Sequence, residues 1–328
     1  MRGGLVTLGE ALGVVAATDP GPLAPGAAMR LEFAGAEATV AIGVRRLGHE
    51  SAWIGSVGAD TVGRMILERL RAEQVDVSHC RIDPELPTAL MLRERRTADR
   101  TRVTYYRRGL AGSHLSVDEV DTARIAGAGV LHITGITPAL SDSARAAVDS
   151  AVDIAVDAGV PVSLDVNYRR ALWTPARAAT ELAGLVSRAD LLFAGLDEAA
   201  LLVPLSGRTT SPPGPEVASK DLMSTAESLA AHGPSEIVLK LGADGAVAWA
   251  GGAFLREGAV PVTAVDPIGA GDAFVAGYLA GLLDGGSVSE RLRLASLCGA
   301  FAVSVPGDWA GLPYRDELGL LDGADIQR

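Results

Sequence analysis

Strand-like and helix-like runs alternate through most of this 328-residue chain, and that rhythm constrains the fold more than any other feature. Short apolar runs such as "LVTLG", "SAWIGSVG", "GVLHITG", "PVSLDVN", "DLLFAG" and "EIVLKLG" have the length of strands. Between them lie longer runs whose apolar residues recur every three or four positions. In "AEATVAIGVRRLG" these are Ala38, Ala41, Ile42 and Leu47; in "DTVGRMILERLRAEQV" they are Val62, Met65, Ile66 and Leu70. The segments "SDSARAAVDSAVDIAVDAG", "PARAATELAGLVSRA", "DEAALLV" and "DLMSTAESLAAHG" continue the helical series. Strands apolar throughout, separated by helices, predict a parallel sheet covered on both faces. The expected fold class is therefore α/β, doubly wound, with a mostly parallel central sheet. Ligands of such a sheet sit at the carboxyl ends of its strands.

Two segments break the rhythm. Residues 11–34 and 83–110 carry no convincing helix, and "DPELPTALMLRERRTADRTRVTYYRRG" reads as two strands around a polar turn. The expectation is a small β-sheet lid made of 11–34 and 83–110, over a core made of 1–10, 35–82 and 111–328. Residues 204–219, "PLSGRTTSPPGPEVAS", read as a Pro/Ser/Gly loop without chemistry.

Charge and composition remove several classes of partner. With 29 Lys and Arg against 40 Asp and Glu, the net charge is −11, which argues against duplex nucleic acid and anionic membranes. No apolar run is long enough to predict a membrane span. The N-terminal apolar run is broken by Thr7, Gly9 and Glu10, so it reads as a first strand rather than a signal peptide. Cys80 and Cys298 form no framework and read as small buried hydrophobes of a reducing compartment. The expected location is cytoplasmic. The five histidines show no ligand spacing, and His132, in an apolar strand, reads as a core residue.

One stretch carries chemistry. In "AVDPIGAGDAFVAGYLAG" the small residues Gly269, Ala270 and Gly271 run into Asp272 and then into a helix apolar nearly all round. The N–H groups of such a turn and of the first helical turn point the same way and form an anion site. A carboxylate beside a stored anion is repelled by it. Asp272 makes better sense as a base that takes a proton from a hydroxyl attacking a phosphoryl group. An acid at a helix start also fits plain capping, so the turn alone leaves both readings open. GxxxxGK[ST] is absent, and Phe274 stands where GxGxxG needs its last glycine, which disfavours Walker-type and dinucleotide sites.

"DPIGAGDAFVAGYLAG" resembles the C-terminal signature of the ribokinase/PfkB-type sugar kinases. "FAGAEATVAIGVRRLGHESAWIGSVGADTVG" resembles their N-terminal signature. The resemblance covers nearly the whole chain and implies a ribokinase-like core with a β lid, using ATP and Mg²⁺, with a monovalent cation as a further requirement left open. "YYRRGLAGSHLS", "LHITGITPALS", "VSLDVNYRRALW" and "GDWAGLPYRDEL" are most similar to the 2-keto-3-deoxygluconate kinases of that family. Carried over by position, the resemblance implies that Asp272 is the catalytic base and Gly269, Ala270 and Gly271 the anion hole. Gly35, Met91, Tyr105, Arg107, Arg169 and Asp308 fall at substrate-binding positions. Asn167, Lys240, Gly242 and Gly245 fall where the family meets the nucleotide, and Glu198 where a glutamate organises Mg²⁺ through water. Relatives of this kind also imply a homo-oligomer assembled through the lid.

The residues themselves support an anionic substrate. Seven arginines lie between 93 and 108: Arg93, Arg95, Arg96, Arg100, Arg102, Arg107 and Arg108. Arginine suits bidentate contacts with carboxylate and phosphate. Edge-strand protection explains such charge equally well, and alternation puts Arg107 and Tyr105 on one face, expected inward. The chain departs from the family at Ala34 and Thr39, where a glycine and an asparagine are usual, and at Met91, where a tyrosine is usual. The expected activity is phosphorylation of a sugar acid, 2-keto-3-deoxygluconate to its 6-phosphate. A kinase for fructose, ribose or a related ketose is the alternative, and a non-catalytic sugar sensor on the same fold is a third reading.

Overall fold

The computed structural model describes residues 3–97, 100–203 and 219–321. In chain order its first elements are β1 (Leu5–Leu8), β2 (Leu12–Ala17), β3 (Met29–Ala34), α1 (Ala36–Arg46), β4 (Ser51–Ile54), β5 (Ser56–Gly58) and α2 (Thr61–Ala72). Then come β6 (Arg81–Asp83), β7 (Leu90–Thr97), β8 (Arg100–Tyr106), α3 (Thr122–Ala126), β9 (Val130–Thr134), α4 (Asp142–Ala158), β10 (Val162–Asp165) and α5 (Pro175–Val186). The last are β11 (Leu191–Gly195), α6 (Leu196–Leu202), α7 (Ser219–Ala230), β12 (Glu236–Lys240), β13 (Ala246–Ala250), β14 (Ala253–Glu257), α8 (Ala270–Leu283) and α9 (Val288–Val303). Of the Pro/Ser/Gly segment read at 204–219, residues 204–218 lie outside the described residues.

Eight strands form the central sheet in the order β14-β13-β12-β11-β10-β9-β1-β4. From β12 to β4 every pairing is parallel, and β13 and β14 are antiparallel. All four residues of β1 and of β10 are buried, because helices cover both faces. α1, α2, α8 and α9 pack into one core, and α3 to α7 into the other. Helix α8 is buried continuously from Ala273 to Gly281, lying against α1 and α9, so its apolar circumference has a partner all round.

The segments without helices supply the second sheet, of order β3-β2-β7-β8. Strands β2 and β7 run parallel at its centre, with β3 and β8 antiparallel at its edges. Leu12, Val14, Ala16, Ala34, Ala89 and Met91 form its own small core.

Two elements differ from expectation. "SAWIGSVG" is not one strand; it breaks at Gly55 into β4 in the central sheet and β5, which pairs with β6 instead. The sheet also gains an antiparallel hairpin, β13–β14, turned at Gly251 and Gly252, which the alternating pattern does not contain. Trp249 sits on that hairpin and is only partly buried. Trp53 is fully buried in β4. No described helix is long and apolar enough to cross a membrane.

Candidate active site

The strand order reverses at β1, which lies between β4 and β9. The crevice at the carboxyl ends of β1, β9 and β10 is therefore the topological switch point. Gly9 and Glu10 leave β1 there, Thr134 ends β9, and Asp165 ends β10 with Asn167 two residues beyond it.

Gly269 caps α8 with a left-handed backbone, φ 77° and ψ −9°. A Cβ on it would stand 2.0 Å from the Asp308 carbonyl oxygen, so both conformation and space require glycine. Ala270 and Gly271 open the helix, and their N–H groups precede any intrahelical acceptor. Asp272 follows in the first turn. Its Oδ1 accepts from Asn167 Nδ2 at 3.3 Å, and among the described residues no helix N–H donates to it. Capping therefore does not explain the carboxylate. Burial, and then the charge of Asp165, push its pKa up to about 7, against the opposing charges of Arg169 and Lys240. A carboxyl poised there suits a general base at neutral pH.

Lys240, at the end of β12, donates to both oxygens of Asp165, at 2.7 and 2.8 Å. The Asp165 side chain is 1% exposed, so the ammonium is its necessary counterion. Burial opposes the charge of Lys240, but Asp165, then Glu198 and Asp272, outweigh it and hold its pKa above the ordinary value. Lys240 also lines an open cleft of about 730 Å³ with Tyr168, Arg170, Gly195, Asp197 and Glu198. Each Glu198 oxygen accepts one backbone N–H, from Tyr168 at 2.9 Å and Gly195 at 2.7 Å. Gly242 and Gly245 bound the short turn that follows β12, closed by Leu241 N–H donating to the Gly245 carbonyl at 2.8 Å.

The small sheet brings its own groups over the switch point. Arg107 forms an ion pair with Glu10, and its guanidinium lies 5.1 Å from the centre of the Tyr105 ring. Arg107 thus points inward as its alternation suggests, but Tyr105 remains 41% exposed, little different from Tyr106 at 57%. Tyr105 nevertheless shares the face of buried Met91, its partner in register, and its ring lies against the Arg107 guanidinium. Gly35 precedes α1, and a Cβ there would stand 2.6 Å from the Glu10 carbonyl oxygen. Met91 is buried in the sheet's apolar cluster, opposite Tyr105 in register. Arg169 is exposed, and its charge reaches Asp272. Asp308 accepts from Arg93 Nη2 at 2.7 Å. Burial raises the Asp308 pKa despite that cation.

Sequence reasoning singled out none of three further members of this cluster as a site residue, although it counted Arg93 among the seven arginines. Glu10 is a buried carboxylate whose pKa is raised by burial, against the pull of Arg107. Glu37 is equally buried; its Oε1 accepts from Thr134 and Thr137, both at 2.7 Å. Arg93 is the third. The available signals were positional: Glu10 follows the carboxyl end of the first strand, and Arg93 stands two residues from Met91. Glu37 had none, because an acid in a first helical turn reads as a dipole partner.

Strand position alone does not sort the charge of the small sheet, since Arg95 and Arg96 share β7 with Arg93 and Arg96 is exposed. Arg100 and Arg102 lie exposed on edge strand β8, consistent with edge protection, whereas Arg93 lies on inner strand β7. His132 is buried, hydrogen bonded through Nδ1 to Ser163 Oγ at 3.0 Å, and burial pushes its pKa down to about 3. Burial pushes the thiols of Cys80 and Cys298 up to about 12, and neither is in a disulfide.

Residues 3–315 match the pfkB family of carbohydrate kinases. The chain is 39% identical over 319 residues to a 2-dehydro-3-deoxygluconokinase of Thermoproteus tenax, covering 95% of this chain and 92% of that one. It is 36% identical over 320 residues to a 2-dehydro-3-deoxygluconokinase of Bacillus subtilis, covering 95% and 93%. The crystal structure of a PfkB protein from Polaromonas sp. JS666 has a TM-score of 0.84 at 34% identity, covering 96% and 99%. With the anion turn, its half-buried aspartate and the sheet above them in place, the chain belongs to the pfkB family of carbohydrate kinases.

Proposed function

We propose that this protein is an ATP-dependent 2-dehydro-3-deoxygluconokinase, phosphorylating the 6-hydroxyl of 2-keto-3-deoxygluconate, the same compound. The observation that carries this reading is Asp272, with its pKa near 7, in the first turn of the helix that follows the anion turn. Asp272 takes the proton of the sugar hydroxyl. The freed oxygen bonds to the γ-phosphorus of ATP, and the bond from that phosphorus to the bridging oxygen breaks with its electrons leaving on ADP. The N–H groups at the start of α8 hold the charge of the transferring group. Asn167, Lys240, Gly242 and Gly245 border the nucleotide. Gly35, Met91, Tyr105, Arg107, Arg169 and Asp308 border the sugar, and Arg107 and Arg169 favour a carboxylate.

Mg²⁺ fits as a partner of the nucleotide phosphates. Among the described residues no cluster of three acidic, His or Cys side chains could hold it directly. Glu198, with one N–H on each oxygen, keeps lone pairs for a bridging water. A bound Mg²⁺ would neutralise phosphate charge during transfer. The small sheet acts as a lid that excludes water. Its exposed Met29, Leu31 and Tyr106 are the surface through which two copies pair. ATP use and two unpaired thiols suit the cytoplasm.

Met91 favours a second sugar, since its thioether offers no hydrogen to a substrate hydroxyl. A coupled ADP assay across 2-keto-3-deoxygluconate, 2-keto-3-deoxygalactonate, fructose and ribose, with and without K⁺, decides. Highest kcat/KM on the gluconate supports the proposal, and preference for a neutral ketose replaces it. Sugar binding without ADP release defeats the enzyme reading altogether.

A further inference from the structure

We propose that Arg93 is a positioning residue through which the lid grips the anion turn. The proposal rests on the kinase reading above. Strand β7 lies between β2 and β8, so charge on it is not explained as edge protection. Arg93 is nevertheless 7% exposed, and it shares a strand face with the buried Met91. A guanidinium buried to that degree needs an acid. It finds one 215 residues away, where Asp308 Oδ2 accepts from Nη2 at 2.7 Å.

Asp308 does not belong to the lid. It lies in the loop after α9, and its backbone is built into the anion turn. The Asp308 carbonyl oxygen fills the space a Cβ on Gly269 would need. One residue earlier, Gly307 N–H donates to Asp266 Oδ2 at 3.3 Å. The other oxygen of Asp266 accepts from Ile268 N–H at 3.1 Å, inside the turn itself. Residues 266–269 and 307–308 are thus one hydrogen-bonded and close-packed unit. Arg93 is the lid's cationic contact with it among the described residues. When the lid is down, Arg93 holds Asp308 and the anion turn in place. When it lifts, the Asp308 carboxylate loses its cation and is left facing Asp266, which carries the same charge. The turn is therefore organised for transfer only under a closed lid, when the sugar is enclosed.

The test measures kcat, KM for each substrate and sugar-independent ADP release for R93M, R93K, D308N and R93M/D308N. R93M is expected to lower kcat roughly ten- to hundredfold, the effect of one charge-assisted hydrogen bond, with little change in KM for ATP. R93K is expected to recover part of the loss. On the D308N background, R93M is expected to add less than about twofold, because Arg93 acts through Asp308. Additive effects overturn the proposal, as does wild-type kcat in R93M. Thermal melts establish that each variant is folded; should R93M not fold, R93K with R93K/D308N completes the same cycle. No wild-type turnover on any sugar defeats the kinase reading and this proposal together. Wild-type turnover with additive variants defeats this proposal alone.

Discussion

Asp272→Asn is expected to remove turnover and, above neutral pH, to make the protein more stable. Burial, then Asp165, raise the Asp272 carboxyl from 3.8 to about 7. That gap corresponds to about 4 kcal/mol for ionising the group in place. The side chain keeps partial solvent contact, which screens the charge, so about 2–4 kcal/mol is expected. The sign follows from proton binding. Below 3.8 the carboxyl is protonated in both folded and unfolded chains and contributes nothing. Between 3.8 and about 7 the unfolded chain releases a proton that the folded chain keeps, so stability falls as pH rises. Above about 7 the full penalty is present. An amide cannot ionise, and its oxygen can still accept from Asn167. Urea denaturation at several pH values from 5 to 8 should therefore show the variant gaining on the wild type as pH rises. Turnover should fall roughly 10²- to 10⁴-fold, the usual contribution of a general base. In the wild type, kcat/KM should climb about tenfold per pH step until about 7. A stability gap flat across this range, or an acid limb centred near 4, would refute the placement of a strained base at this helix.

Three other substitutions probe the neighbours. Gly269→Ala puts a methyl 2.0 Å from the Asp308 carbonyl oxygen at a φ of 77°, and should lose roughly 1–3 kcal/mol in a denaturant titration together with most of kcat. Lys240→Met strands the buried carboxylate of Asp165 and should cost roughly 3–5 kcal/mol; pairing it with Asp165→Leu should restore stability, read by melting temperature, without restoring nucleotide use. Arg107→Met should raise KM for the sugar acid roughly tenfold or more while leaving Glu10 without its cation. Burial already raises the Glu10 pKa, so the added instability should grow with pH and should disappear in Arg107→Met/Glu10→Gln, as denaturation curves at two pH values would show.

The amino-acid sequence by itself determined the architecture and pointed to the turn before Asp272 as the proposed reactive centre. Apolar strands alternating with helical periods dictate a parallel sheet covered on both faces, because those periods are local properties of the chain. The anion turn is likewise local, since Gly269 to Asp272 carry their conformation and charge within four adjacent residues. The two helix-free segments already marked the second sheet. Tertiary structure alone decided which charged and polar groups meet. Arg93 finds Asp308 across 215 residues, Thr134 finds Glu37 across 97, and Lys240 finds Asp165 across 75. No spacing encodes such pairs. Each is selected when burial makes an unpaired charge intolerable, and what is buried depends on the strand order, on the β13–β14 hairpin and on how the small sheet lies over the large one. The same burial lifts Asp272 from an ordinary carboxylate to one poised near neutrality, a property of its surroundings rather than of its place in the chain.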